Sequence, residues 1–119
     1  MTFKQSVKSV FSNYATFKGR ARRSEYWYFF VFTLLVDTVL YVLGESTQLG
    51  LFSTVSSLFA LAVLVPNLAV TWRRLHDIGK SGANFFFCLI PLVGWILLLV
   101  WLCKDSQPGE NQYGPNPKE

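Results

Sequence analysis

The sequence is short of the residue types from which most active sites are built. It holds one histidine, His76, and two cysteines, Cys88 and Cys103, in 119 residues. A zinc site gathers several Cys or His ligands, and no second residue of either kind lies near His76. The cysteines mark the two ends of one apolar run. If that run is helical, a rise of ~1.5 Å per residue separates them by roughly 22 Å, beyond the reach of a disulfide. They carry no compartment signal and read as small apolar packing residues. The Gly-Lys-Ser of residues 79–81 lacks the remainder of a phosphate-binding loop, because Arg74 stands where the leading glycine is required and no strand precedes it. His76 and Asp77 are neighbours in sequence, a poor arrangement for a base and its orienting partner. No catalytic residue, metal site or cofactor is read from the chain, and it is taken as a protein other than an enzyme.

What is abundant is apolar surface: 51% of the residues are hydrophobic and 17% aromatic. A soluble domain of this length has too little interior for that load, which leaves lipid as the sink. Three runs approach or exceed the ~20 residues needed to cross a ~30 Å hydrocarbon core. They are Tyr26 to Leu43, Leu51 to Trp72 and Ala83 to Cys103. A helix satisfies its own backbone hydrogen bonds inside a bilayer, so each run is predicted as a transmembrane helix despite its β-favouring residues. The expectation is a single membrane domain over 1–119: an all-α polytopic membrane protein with three transmembrane helices (26–43, 51–72, 83–103), an amino-terminal amphipathic interfacial helix (1–17) and a tail (104–119).

Charge placement gives the expected threading. Six of the eleven Lys and Arg precede the first run, the connection GESTQLG has none, and Arg73, Arg74 and Lys80 lie in the second connection. Lys104 and Lys118 fall in the tail, among three acids. Basic loops stay in the cytoplasm. The amino terminus and the second connection are therefore expected inside, and the first connection and the carboxyl terminus outside, periplasmic. A cleaved signal peptide is not expected, because the first run ends in VLGES without a small-residue cleavage site and two further runs follow. In MTFKQSVKSVFSNYATF, Phe3, Val7, Val10, Phe11 and Tyr14 fall at helical spacing opposite Lys4, Gln5 and Lys8. This helix is expected on the inner leaflet, beside anionic lipid, with packing on the protein's own cytoplasmic loop as the alternative. The basic residues adjoin segments that water does not wet, which argues against nucleic acid as a partner.

Among the polar residues within the runs, Asp37, Asn67 and Trp95 stand out. Asp37 lies ~16 Å into the first run at helical rise, near the bilayer midplane, where an ionised Asp costs roughly 2.5 to 3.5 kcal/mol. Trp95 falls at matching depth in the third run and is the expected donor, with Tyr41 a second. Asp37 reads as a hydrogen-bonded residue pinning helix contacts or, alternatively, as a proton or cation site. Ser53, Ser57, Ala60, Leu64, Asn67 and Thr71 form a small and polar stripe, expected to pack on the other spans or on a second copy. Pro66 and Pro91 are expected to kink their helices.

The stretch WRRLHDIGKSG (Trp72 to Gly82) reads as a cytoplasmic turn whose mixture of charge and glycine suggests a fixed shape. FKGRARRSEYW (Phe17 to Trp27), RRLHDIGKSG (Arg73 to Gly82), IPLVGWILLLV (Ile90 to Val100) and PGENQYGPNP (Pro108 to Pro117) together resemble the blocks of the YhaH-like family of small bacterial inner-membrane proteins, the domain of unknown function 805 family. The resemblance covers nearly the whole chain. It departs at Ala83 and Asn84, where members often carry tryptophan. It implies an integral protein of the bacterial inner membrane, without an accepted activity. It also draws attention to one charge cluster on the cytoplasmic face: Arg20, Arg23, Glu25, Arg73, Arg74, His76 and Asp77. Glu25 is expected to pair with Arg73 or Arg74, and Asp77 with Arg20 or Arg23, locking the helix ends and binding an anionic headgroup. The Gly, Pro and Asn of the tail favour disorder over an ordered cap. The functional expectation is a lipid- or protein-binding membrane component whose partners are anionic headgroups, another membrane protein or a second copy of the chain. The alternative is a small oligomeric transporter or channel subunit using Asp37.

Overall fold

The computed structural model describes residues 2–117; Met1, Lys118 and Glu119, counted above with the amphipathic segment and the tail, lie outside the described residues. The fold is all-helical, with two long apolar helices and a shorter third. Helix α1 spans Phe3–Ser12 and starts at a capping box, in which Thr2 and Gln5 each bond the other's backbone N–H. Helices α2 (Arg23–Thr47, 25 residues) and α3 (Gly50–Asp77, 28 residues) form an antiparallel pair. At ~1.5 Å per residue they run about 37 and 42 Å, more than a ~30 Å hydrocarbon layer requires. Their reversal turns on Gln48, in the left-handed region at φ 58°.

Both helices overrun the expected spans at the cluster end, and α2 also runs on from Gly44 to Thr47 at the other. Arg23 to Glu25 extend α2 before Tyr26, and Arg73 to Asp77 extend α3 beyond Trp72. The second connection is thus shorter than expected, since its charged half is the last turn of α3. Basic side chains suit that position, where the helix dipole is negative.

Aromatic bulk dictates how α2 and α3 meet. Phe29, Val63 and Val70 are buried between them, with Tyr26, Phe32 and Phe59 packed around. The small stripe of α3 makes this contact only at its inner end: Thr71 is buried and bonds the Tyr26 hydroxyl, and Asn67 is half-buried, whereas Ser53, Ser57, Ala60 and Leu64 face outward, because the rings of α2 are matched by the Val63–Val70 face. α1 lies along α2 rather than on a loop, with Phe11 edge-on to Phe29 and Phe32 at 5.4 and 6.0 Å. The Tyr14 hydroxyl donates to the Ala62 carbonyl. That carbonyl is available because Pro66, four residues on, has no N–H to give it. α3 continues through Pro66.

The third apolar run is helical but divided. A 3-10 helix, Gly82–Leu89, is followed by an apex at Ile90 to Leu92 and by α4, Val93–Cys103. At the apex the Val93 N–H bonds the Pro91 carbonyl at 2.7 Å, and Leu92 takes φ 64°. This is a γ-turn, strained for a non-glycine residue. Pro91 therefore marks a fold-back where a kink was expected. The two limbs pack on each other: Phe87 meets Trp101 at 5.4 Å, and a Cβ on Gly94 would overlap the Phe87 carbonyl.

Both ends of the run return to one end of the bundle. Gly82 abuts the Trp72 indole so closely that a Cβ would overlap it, and Cys103 offers its carbonyl to Arg23 at 3.2 Å. The tail consequently lies beside the amino-terminal flank. This corrects the expected placement of amino terminus and tail on opposite faces, and the leaning towards a disordered tail. The physical reason is the fold-back at Pro91 and Leu92, which reverses the direction of the chain.

Candidate functional site

Where the ends of α2, α3 and α4 meet, charged residues are buried together. Arg20 is extended from the segment before α2 with its side chain fully buried. A guanidinium has five N–H donors, and each finds an acceptor. Nε donates to Asp77 Oδ1 at 2.9 Å; Nη1 donates to the carbonyls of Gly109 and Gly114 at 2.7 and 3.2 Å. Nη2 donates to the carbonyls of Asp77 and Gln107 at 3.1 and 2.6 Å. The tail is wrapped around this one side chain.

Asp77 is the counterweight, also fully buried. Its Oδ2 accepts from Arg74 Nη1 at 3.1 Å and from the Ser106 hydroxyl at 2.6 Å. A second pair sits nearer the bundle: Arg73 Nη1 to Glu25 Oε1 at 3.1 Å, with the Ser9 hydroxyl on the same oxygen at 2.9 Å. Arg73 Nε reaches the Thr16 carbonyl at 3.0 Å, so this pair ties α1, α2 and α3 together.

Three buried guanidiniums thus face two buried carboxylates. The surplus positive charge is met by helix C-termini, whose last carbonyls have no helical donors. Trp27 Nε1 takes the Leu102 carbonyl at 2.9 Å, Arg23 that of Cys103 and Arg74 that of Lys104. Burial lowers the proton affinity of Arg74 below the ordinary arginine value, and Asp77 opposes that shift. His76 stacks on Tyr113 with ring centroids 3.9 Å apart and planes 2° from parallel. Its Nδ1 donates to the Gly19 carbonyl at 2.9 Å. Burial lowers its pKa from the ordinary 6.5, partly offset by the Gly19 bond.

A family model described as "Protein of unknown function (DUF805)" matches residues 14–115. The chain belongs to the DUF805 family. Among similar proteins, "Inner membrane protein YhaI" of Escherichia coli (strain K12) is 42% identical over 110 residues, covering 92% of each chain. "Inner membrane protein YhaH" of the same strain is 38% identical over 112 residues, covering 92% of this chain and 93% of the relative. "Uncharacterized protein YiiR" of that strain is 36% identical over 83 residues, which is 70% of this chain and 53% of the relative. No solved structure matches.

Three of the four segments that resemble DUF805 blocks converge on this cluster. Phe17 to Trp27 supplies Arg20 and Glu25, Arg73 to Gly82 supplies the end of α3, and Pro108 to Pro117 supplies carbonyls and Tyr113. The fourth, Ile90 to Val100, builds the fold-back and most of α4.

The expected cluster is assembled with one exception. Glu25 pairs with Arg73 and Asp77 with Arg20, both within the expected alternatives; Arg74 joins Asp77 and His76 stands beside them. Arg23 is exposed and caps α4 instead of pairing with an acid of the cluster. The guanidiniums of Arg20, Arg73 and Arg74 are buried; every N–H donor of Arg20 is taken, while Arg73 Nη2 and Arg74 Nε have no hydrogen-bond partner among the described residues. The intramembrane trio does not come together. Trp95 Nε1 donates to the Cys88 carbonyl at 2.8 Å, within its own hairpin, so it is not the donor for Asp37. Asp37 lies exposed on the outer side of α2, and no hydrogen bond joins it to Tyr41, which is 68% exposed. Asn67 is half-buried on α3, and its carbonyl accepts the Thr71 hydroxyl at 2.7 Å. Sequence reasoning missed Ser9, Tyr14, Trp27 and Ser106. Only Tyr14 had a signal, the carbonyl freed by Pro66.

Proposed function

We propose that this protein is a structural component of the bacterial inner membrane that holds a basic face against anionic lipid headgroups, with its amino terminus and tail both on the cytoplasmic side. The observation that carries this reading is charge segregation. The solvent-reachable Lys4, Lys8, Lys18, Arg22, Arg23, Lys80 and Lys104 stand on the segments gathered at the cluster end, with Asp105 and Glu110 among them. Near the α2–α3 reversal the charge is Glu45. Each Lys or Arg close to an anionic leaflet contributes about 1 kcal/mol. The buried ion pairs fix the platform from which those side chains project, while the fold-back of the third run dips part-way into the bilayer: α4, with 11 residues, measures about 16 Å at helical rise.

The test has two parts. Single cysteines at Gln48 and at Glu110, both exposed, in a variant lacking Cys88 and Cys103, are treated in intact cells with an impermeant thiol reagent. Labelling at residue 48 and protection at residue 110 until the cells are opened are expected; labelling at 110 in intact cells defeats the topology. The wild-type protein, reconstituted in bilayers with and without phosphatidylglycerol, is then compared by thermal unfolding and retained lipid. Equal behaviour in the two bilayers defeats the lipid reading.

A second reading, an oligomeric transporter or channel subunit, is supported by the outward exposure of Asp37 half-way along α2. Proton flux into proteoliposomes that Asp37→Asn abolishes, with folding unchanged, would establish it.

A further inference from the structure

A cavity of about 300 Å³ opens beside the start of α2, lined by Arg22, Arg23, Ser24, Trp27, Tyr28 and Asp105. Four independent features converge on it. Arg22 is half-exposed and Arg23 exposed, so both keep guanidinium donors outside the buried cluster. α2 begins at Arg22 with no side-chain cap, which leaves the positive end of its dipole facing the cavity. Ser24 lines the cavity and is itself only half-buried, but its hydroxyl oxygen is turned inward without a hydrogen-bond partner among the described residues, an unfavourable arrangement that rotation about χ1 towards a ligand in the cavity would relieve. Trp27 and Tyr28 provide aromatic walls of the kind that sit at the boundary between hydrocarbon and headgroups.

We infer that this cavity seats the phosphodiester of a membrane phospholipid, with Arg22, Arg23 and the Ser24 hydroxyl on the phosphate oxygens and Trp27 and Tyr28 against the glycerol and upper acyl chains. Charge selects the diester. The two arginines less Asp105 leave the lining with one net positive charge, which matches a phosphodiester. Inorganic phosphate carries more negative charge and meets Asp105 without apolar compensation. The inference rests on the reading that the cluster end lies at the headgroup layer, and it names where in that layer one lipid is held.

The test uses the full chain in mild detergent, titrated by native mass spectrometry with phosphatidylglycerol, with a diacylglycerol lacking the phosphate, and with inorganic phosphate. The wild type is expected to retain one phosphatidylglycerol and neither of the others. Arg22→Gln, whose side chain makes none of the cluster's hydrogen bonds, should weaken retention about tenfold, and Arg22→Lys less so. Ser24→Ala separates a ligand role from a structural one. Removing an unpartnered buried hydroxyl leaves the lipid-free protein as stable as before or more so, yet losing a bond to a charged oxygen weakens lipid retention by about tenfold or more. Lys4→Gln with Lys8→Gln should leave that retained lipid in place. Retention unchanged in both Arg22→Gln and Ser24→Ala, or phosphate competing as well as lipid, overturns the site. If the wild type retains no anionic lipid at all, the broader lipid reading falls with it. Retention that is lost only in Lys4→Gln with Lys8→Gln removes this site and leaves that reading standing.

Discussion

Asp77→Asn is the sharpest perturbation that the cluster offers. The side chain is fully buried and accepts from Arg20 Nε at 2.9 Å, Arg74 Nη1 at 3.1 Å and the Ser106 hydroxyl at 2.6 Å. The amide keeps the shape, removes the negative charge and turns one acceptor into a donor facing a guanidinium or a hydroxyl. Two buried cations then share no carboxylate, because Glu25 is engaged with Arg73. Breaking a buried pair by removing one partner costs about 3 to 5 kcal/mol. Against a typical total of about 5 to 15 kcal/mol, that is a large share. Thermal unfolding in detergent, followed by circular dichroism, should show the midpoint falling on the order of 10 °C or more. Glu45→Gln is the control: the same loss of a carboxylate charge at an exposed position beside the α2–α3 reversal, expected within about 0.5 kcal/mol of wild type. If the two variants unfold together, the cluster is not what holds this end of the bundle, and the reasoning fails.

Other consequences follow from the same contacts. Gly94→Ala places a methyl into the Phe87 carbonyl and should open the hairpin of the third run, at a cost of about 1 to 3 kcal/mol, read as faster proteolysis near residues 90–92. Tyr14→Phe strips the donor from the Ala62 carbonyl that Pro66 leaves open; as Tyr14 is exposed, a loss of about 0.5 to 1.5 kcal/mol is expected, and unchanged unfolding would mean the contact is idle. Burial depresses the His76 pKa, so the folded state favours the neutral ring. The resulting stability is complete above the unfolded value near 6.5 and declines as pH falls below it towards the depressed folded value. Unfolding midpoints at about pH 7.5 and about pH 5.5 should therefore differ, and His76→Gln should shrink that difference.

The two long helices were legible because hydropathy is a sum over many residues and survives local error. So was the pairing of Glu25 and Asp77 with arginines, since buried acids demand cations and the candidates were few. The third run, Ala83 to Cys103, is apolar and helical as expected, but its division into two limbs was not legible, because length and hydropathy are the same whether or not a run turns back. The reversal depends on a γ-turn at Leu92 and on the close packing of Gly94, neither of which periodicity reveals. The tail misled for a different reason. It binds Arg20 through the carbonyls of Gln107, Gly109 and Gly114, and backbone acceptors leave no trace in side-chain composition. Matching Trp95 to Asp37 by depth assumed a continuous third helix, and failed with it.

The turn back at Leu92 also bears on biogenesis. Under the topology proposed above, with the amino-terminal flank and the tail on one side, the connection to be exported is the short reversal around Gln48 and Leu49, which carries no lysine or arginine. α2 and α3 would then enter the bilayer as one hairpin, and the segments synthesised after α3 would stay in the compartment where they were made. A reporter fused to either end of the chain would then sit in the same compartment.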